Sequence, residues 1–288
     1  MQALISLISL SIVILIMPML SFASTTLLIG DTGFCLGKMP KYSSKIHLKE
    51  LNPKTRSEKD FCQKIAATRP YHGHYGLKIL LHNLRAQDQI DIDLIELYDA
   101  DGVALKKNWK LLIDQLMSGK YQLLSLAAGA PGELARELQA YYLTRPHPQV
   151  LPGIVLASGS VGLGIEQSSV IWPQSFDLPA IKVATFIPAA QNATSKKMKM
   201  ALAKPLYGHF DTGLYHPEEI DFFIQRPGPK VFPSGSSYAL WRSLPYILNQ
   251  CRQLDHNKLL KCLKQEARPM RIKSKERLFL PIKFTESK

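Results

Sequence analysis

The chain has 288 residues, of which 46% are hydrophobic, and carries a net charge of +13. That length buries one large core or two modest ones, and the composition excludes a disordered, low-complexity or collagen-like chain. The charge implies a basic surface suited to anionic lipid, cell-wall polymer, nucleic acid or acidic protein. No RNP-like motif, zinc-finger spacing or basic-zipper heptad accompanies it, so nucleic acid is not expected as a partner.

Ala3 to Leu20 is apolar apart from its serines, and Ser21-Phe22-Ala23 places small residues where a signal peptidase cuts. Residues 1–23 are expected to be a signal peptide, with the mature chain periplasmic or extracellular. The competing reading is an uncleaved anchor, since the run is just long enough to span a bilayer. Pro18 near its end favours cleavage. Export makes Cys35, Cys62, Cys251 and Cys262 interpretable. They lack CxxC spacing, so a zinc site is not expected. Two disulfides are expected in an oxidising compartment, Cys35–Cys62 and Cys251–Cys262 being the simplest of three pairings. Free buried thiols are the other reading.

Thr25 to Ile29 reads as a buried strand ending in Gly30-Asp31-Thr32-Gly33. Alone, Asp31 reads as an Asx-turn residue. At the carboxyl edge of an open α/β sheet it stands where sites are built. Leu36 to Lys59 is polar and basic, a surface excursion. Tyr71-His72-Gly73-His74-Tyr75-Gly76 puts a histidine at a turn that enters a helix over Leu77 to Leu84. Two histidines at i and i+2 cannot share one helical face, which excludes a helical metal pair. Gln89 to Leu97 is a strand, Leu105 to Met117 a helix, Tyr121 to Ala127 a strand and Glu133 to Leu143 a helix. Gly153 to Ala157 and Ile181 to Thr185 are further strands. This alternation predicts one domain over residues 24–288, a mostly parallel sheet with helices on both faces. From Cys251 to Lys288 eleven Lys and Arg stand against four Asp and Glu, which reads as a basic C-terminal extension that could meet an anionic surface.

Phe232-Pro-Ser-Gly-Ser-Ser-Tyr-Ala-Leu-Trp241 stops one segment and starts a helix. Ser237 falls in the first turn, where free N–H groups and the helix dipole stabilise negative charge. Taken alone it reads as an N-cap serine ahead of a nucleophile. Small residues gather at four strand ends: Gly-Asp-Thr-Gly, Ser-Leu-Ala-Ala-Gly, Ala-Ser-Gly-Ser and Gly-Ser-Ser. They leave room for a peptide backbone to lie against the protein.

Asp31-Thr32-Gly33, His72-Gly73 and Gly235-Ser236-Ser237-Tyr238-Ala239 stand in the order Asp, His, Ser. In that order they resemble the triad motifs of the subtilisin-like serine proteases. Tyr98 to Gly102, Leu124 to Ala128, Ala157 to Gly162 and Phe176 to Ala184 resemble that family's intermediate landmarks, from about Leu27 to Asn249. The resemblance implies a three-layer subtilisin-like α/β fold and an exported endopeptidase working through an acyl-enzyme. Ser237 would be the nucleophile, His72 the general base and acid, and Asp31 its orienter. His74 is the rival base. Ser125, Leu126, Ala127, Ala157, Ser158 and Gly159 would bind substrate, a protein or peptide. Ser160 and the Ser237 N–H would form the oxyanion hole.

The chain departs from the family's pattern in three places. Ser160 replaces the oxyanion-hole Asn, a donor whose removal from subtilisin itself lowers turnover roughly a hundred- to thousand-fold. Tyr238 and Trp241 are bulkier than the family's residues after the nucleophile, and no propeptide separates the leader from the first strand. These departures motivate an alternative: a protein of the same fold, impaired in catalysis, that binds peptides or an anionic surface. No cofactor is expected. No acidic loop is strong enough to name a calcium site, which leaves a structural calcium open. Asp211-Thr-Gly213 repeats the Asp-Thr-Gly triplet, as pepsin-like aspartic proteases do, but the predicted helices oppose an all-β bilobal fold. A surface turn is the expected setting of Asp211.

Overall fold

The computed structural model describes residues 24–52, 62, 72–85, 89–99, 102–157, 170–187, 209–211, 217–225, 236–251, 253–272 and 275–282. The expected signal peptide lies outside them. In chain order the elements are β1 (Thr25–Asp31), β2 (Ile46–Glu50), α1 (His72–Asn83), β3 (Ile90–Glu96), α2 (Lys106–Met117) and β4 (Leu123–Leu126). Then come β5 (Ala130–Pro131), α3 (Gly132–Leu143), β6 (Gly153–Ala157), β7 (Ile171–Trp172), β8 (Ile181–Ile187) and β9 (His209–Asp211). The chain continues through β10 (Phe222–Gln225), α4 (Ser236–Gln250), α5 (His256–Glu266), β11 (Arg268–Ile272) and β12 (Lys275–Phe279).

Ten strands form one sheet in the order β11-β12-β10-β8-β6-β4-β1-β3-β2, with β9 beside β8. Every pairing is parallel except β9 on β8 and β11 on β12. Because successive side chains alternate across a strand, the two faces bury different residues. Leu27, Ile29, Leu123 and Val155 pack with Leu77 and Leu80 of α1 and Tyr238, Trp241 and Leu244 of α4. Leu28, Leu124, Leu126 and Leu156 pack on the other face with Trp109 and Leu112 of α2 and Leu138 of α3. Strands covered on both faces become continuous apolar runs, as β4 and β6 are. Each fully buried aliphatic side chain contributes about 1.5–3 kcal/mol. α4 is buried nearly all round, from Ser236 through Leu240 to Ile247, because it packs on the sheet and against α1, which covers the same face beside it.

From β1 the chain builds β2 and β3 on one side and then β4, β6, β8 and β10 on the other. The order therefore reverses beside β1, the place at whose carboxyl ends open α/β sheets build their sites.

Three expectations need correction. The Leu36–Lys59 stretch contains a strand, β2, whose exposed His47 and Lys49 alternate with Ile46 and Leu48. Such charged, outward positions blunt a sheet edge and disguise the strand as a loop. Asp211 does not sit in a turn but ends β9 opposite Thr185. The basic C-terminal stretch is folded: Leu259 and Leu263 bury α5 against the sheet, and β12 extends the sheet through Phe279 opposite Phe223. Asp255 caps α5 by accepting the Lys258 N–H at 3.1 Å. The cysteine sulfurs stand at bonding distance as Cys35–Cys62, 1.97 Å, and Cys251–Cys262, 2.02 Å. Among the described residues no helix is long and apolar enough to cross a membrane.

Candidate active site

Asp31 is the last residue of β1, and parity puts its side chain on the same face as Leu27 and Ile29, the face covered by α1 and α4. It is 1% exposed, a depth at which a carboxylate needs partners. The Thr32 N–H donates to Oδ1 at 2.6 Å, and His72 Nδ1 lies 3.0 Å from each carboxylate oxygen. The Leu97 N–H donates to the Asp31 carbonyl at 2.7 Å and fixes the backbone beneath it.

His72 is the first residue of α1, so the turn expected there is already helix. Two contacts hold that end of α1 on the β1 loop. The Gly73 N–H donates to Thr32 Oγ1 at 2.9 Å, which satisfies one of the free amides of the first turn. A Cβ on Gly73 would lie 2.8 Å from the Thr32 carbonyl and 3.0 Å from Asp31 Cβ, so only glycine allows the approach. His72 keeps 22% of its side chain exposed. Bonding Nδ1 to Asp31 fixes the tautomer and leaves Nε2 as the group that exchanges protons. Burial disfavours its imidazolium, but the Asp31 charge and hydrogen bond outweigh burial and raise its pKa above 6.5.

His74 stands differently. It is 1% exposed, its Nδ1 has no hydrogen-bond partner among the described residues, and its ring meets Tyr75 edge-on. Burial, followed by the charges of Lys78 and Lys38, lowers its pKa to about 4. It is a neutral core imidazole.

Ser237 is the second residue of α4 and 9% exposed. α4 lies tightly on α1 at Gly76, where a Cβ would lie 1.9 Å from Trp241 Cε2. His72 and Ser237 each precede that contact by four residues, one turn of their own helix. Both are therefore carried on the facing sides of two packed helices, at the amino-terminal end of each. Neither Gly76 nor Trp241 is apparent as a site residue from the motifs alone. The glycine inside a helical pattern is the available signal of close approach.

Ser125 is opposite Ile29 of β1 and fully buried, and its Oγ has no hydrogen-bond partner among the described residues. Leu126 packs into the α2/α3 face, and Ala127 is half-buried at the strand's end. Ala157 ends β6, fully buried. Ser158, Gly159 and Ser160 lie outside the described residues. The structure thus joins Asp31 to His72 directly, sets Ser237 on the helix packed against α1, and brings the end of β4 beside that of β1. Among the described residues no cluster of three His, Cys, Asp or Glu forms a metal site.

No family model matches the chain, and no curated protein matches it significantly. Among solved structures it is similar to the prenylagaramide maturation protease PagA, with a TM-score of 0.51 and 12% identity over 87% of this chain and 86% of that one. The self-cleaved protease domain of PatA gives a TM-score of 0.48 at 11% identity, covering 85% of this chain and 88% of that one. The psychrophilic subtilisin-like protease Apa1 from an Antarctic Pseudoalteromonas gives 0.36 at 15%, covering 56% and 36%. The fold of the chain, a mostly parallel sheet between two helical layers, is subtilisin-like.

Proposed function

We propose that the protein is an exported serine endopeptidase in which Ser237, His72 and Asp31 act together. The observation that carries this reading is the buried Asp31 carboxylate bonded to His72 Nδ1 at the carboxyl end of β1. A hydroxyl is too weak an acid to attack an amide unaided. As Ser237 Oγ bonds to the scissile carbonyl carbon, its proton passes to His72 Nε2, and Asp31 stabilises the imidazolium that results. The oxyanion is met by the Ser237 N–H at the α4 terminus and by the Ser160 hydroxyl. The C–N bond then breaks, and His72 returns the proton to the leaving amine. Water hydrolyses the acyl-enzyme by the same route. The exposed Lys261, Lys264, Arg268 and Arg271 on α5 and β11 support a second contact, with an anionic surface.

A fluorophosphonate probe tests the reading. Wild-type protein is expected to take the label and Ser237→Ala to take none. An intact fold that leaves the wild type unlabelled overturns the proposal.

A further inference from the structure

The amino ends of the strands form the edge opposite Asp31, and the C-terminal elements gather there. Gly153 opens β6, and its N–H donates to the Leu254 carbonyl at 2.6 Å, while Pro152 bridges to Asp255, the cap of α5. α5 therefore starts at that edge. β12 meets β10 only where its last residue, Phe279, stands opposite Phe223. The rest of β12, with β11 antiparallel beside it, consequently extends past the amino end of β10. α4 reaches this edge from the site, its 15 residues spanning about 22 Å, with Ser237 at the other end.

Charge and apolar surface coincide here. α5, β11 and β12 carry seven Lys and Arg against Glu266 and Glu276. Asp255 takes up Lys258 at 3.2 Å, and Glu218 takes up Lys275 and Arg277. Lys261, Lys264, Arg268 and Arg271 remain as exposed cations. Among the described residues five large apolar side chains are exposed, and three of them belong to this edge. Met270, 41% exposed, stands between Arg268 and Arg271 on the projecting strand. Val150, 67% exposed, precedes β6 by three residues, and Leu143 ends α3, the helix that returns the chain to the start of β6. A bilayer interface accommodates both kinds of group, cations at its phosphates and apolar side chains at the boundary of its acyl chains. A soluble polyanion takes only the cations.

We propose that this edge, built on α5, β11 and β12, docks on a bilayer containing anionic lipid and holds the site away from it. The inference rests on the anionic-surface contact proposed above, not on the hydrolase chemistry. The leader gives a second reason for lipid as the partner. The apolar Ala3–Leu20 run joins β1 at its amino end through Ser21 to Ser24, a reach of at most about 14 Å. As an export leader that run enters a membrane, so until it is cut this edge is held near lipid. Afterwards the cations and Met270 supply two weak attractions, and it is their combination that retains a protein at a membrane. Ser237 then lies the length of α4 away from the lipid.

The test sediments the chain from Ser24 with vesicles of phosphatidylcholine, alone or with about a third phosphatidylglycerol, and measures fluorophosphonate labelling alongside. Circular dichroism checks that each variant is folded. Phosphatidylglycerol is expected to strengthen binding by about tenfold or more, and salt to weaken it. Labelling should proceed at the same rate on vesicles as in solution. Lys261→Gln combined with Lys264→Gln should weaken binding by about tenfold or more, since each cation near the surface is worth about fivefold. Met270→Ser should weaken it severalfold at every salt concentration. Lys107→Gln with Lys110→Gln on α2 removes the same charge elsewhere and should change binding little. Equal losses in the two lysine pairs mean that net charge alone is read, which overturns the inference. Binding to soluble polyphosphate with none to vesicles also overturns it and leaves the anionic contact standing. Binding to neither overturns both. Labelling that proceeds in solution and stops on vesicles puts the site against the lipid and overturns the orientation. A protein that docks as expected and takes no label anywhere supports the inference and removes the hydrolase reading.

Discussion

Gly76 has no room for a side chain because Trp241 lies on it: a Cβ would stand 1.9 Å from Cε2 and 2.2 Å from Nε1. Trp241 is fully buried, so it has nowhere to retreat. This contact sets how closely α1 and α4 approach, and the helices carry His72 and Ser237 one turn away. Helical side chains lean toward the amino terminus, so the geometry of the crossing passes directly to those two residues. Gly76→Ala is expected to lower folding stability by about 1–3 kcal/mol, the usual range for overpacking. It should also slow fluorophosphonate labelling well beyond what that loss explains. Trp241→Leu opens space, so the same glycine substitution should cost less in that background. A denaturant double-mutant cycle reads the coupling. Strict additivity would mean the contact does not control the crossing.

The His72–Asp31 pair predicts opposite pH trends for activity and for stability. In the proposed mechanism the base is neutral His72, and Asp31 raises the His72 pKa above 6.5 despite burial. The labelling rate should therefore rise with pH through a midpoint above 6.5. The imidazolium–carboxylate pair adds stability in full below the unfolded value of about 6.5, and that stability disappears as pH rises through the raised folded value. Asp31→Asn removes the charge, so the midpoint should move down. The rate should fall by about 10⁴, as the tautomer is no longer fixed. A midpoint unchanged in Asp31→Asn contradicts the pairing.

The central strands were legible because burial on both faces turns them into apolar runs, as in Leu27-Leu28-Ile29 and Ile154-Val155-Leu156. β2 and the three-residue β9 were not, since edge strands have one open side and need no such run. Asp31 and His72 stand 41 residues apart in sequence, and only their order relative to Ser237 suggested that they meet. The bond from the Tyr98 hydroxyl to the Gly129 carbonyl left no trace in the sequence, because a side chain reaching a backbone carbonyl 31 residues away has no periodicity. The same holds for Thr32, whose hydroxyl anchors α1 through Gly73.

His74 offers a second titration that is independent of catalysis. Its pKa is lowered to about 4 by burial and then by Lys78 and Lys38, so the fold holds it neutral while the unfolded chain binds a proton near pH 6.5. Its contribution is present above pH 6.5 and is lost as pH falls toward 4, a change of roughly 3 kcal/mol for a shift of this size. His74→Leu should flatten the fall in unfolding free energy between pH 7 and pH 4.5 by about that amount and keep most of the labelling. His72→Ala should abolish labelling. The reverse pattern would make His74 the base.

The Cys35–Cys62 bond clamps the two arms that carry the site. Cys35 follows Asp31 by four residues, and Cys62 precedes His72 by ten. Between Cys35 and Asp31 stands Phe34, whose Cε1 lies 2.9 Å from where a Gly73 Cβ would be, so the clamped loop presses on the first turn of α1. Lys38 reinforces the link by donating from Nζ to the Cys62 carbonyl at 2.5 Å. In the loop-entropy description a bond spanning 27 residues is worth about 3–4 kcal/mol, and the Cys251–Cys262 bond, spanning 11, slightly less at about 3 kcal/mol. The paired serine variants should thus lose similar stability. They should differ at the site: replacing Cys35 and Cys62 should lower the His72 midpoint toward 6.5 and slow labelling, because Asp31 no longer holds the imidazole at a fixed distance. Replacing Cys251 and Cys262 should change them less, since that bond ties α5 to the far end of α4, about three to four turns from Ser237. Equal effects of the two pairs on the labelling profile would make the first bond a staple of the fold alone.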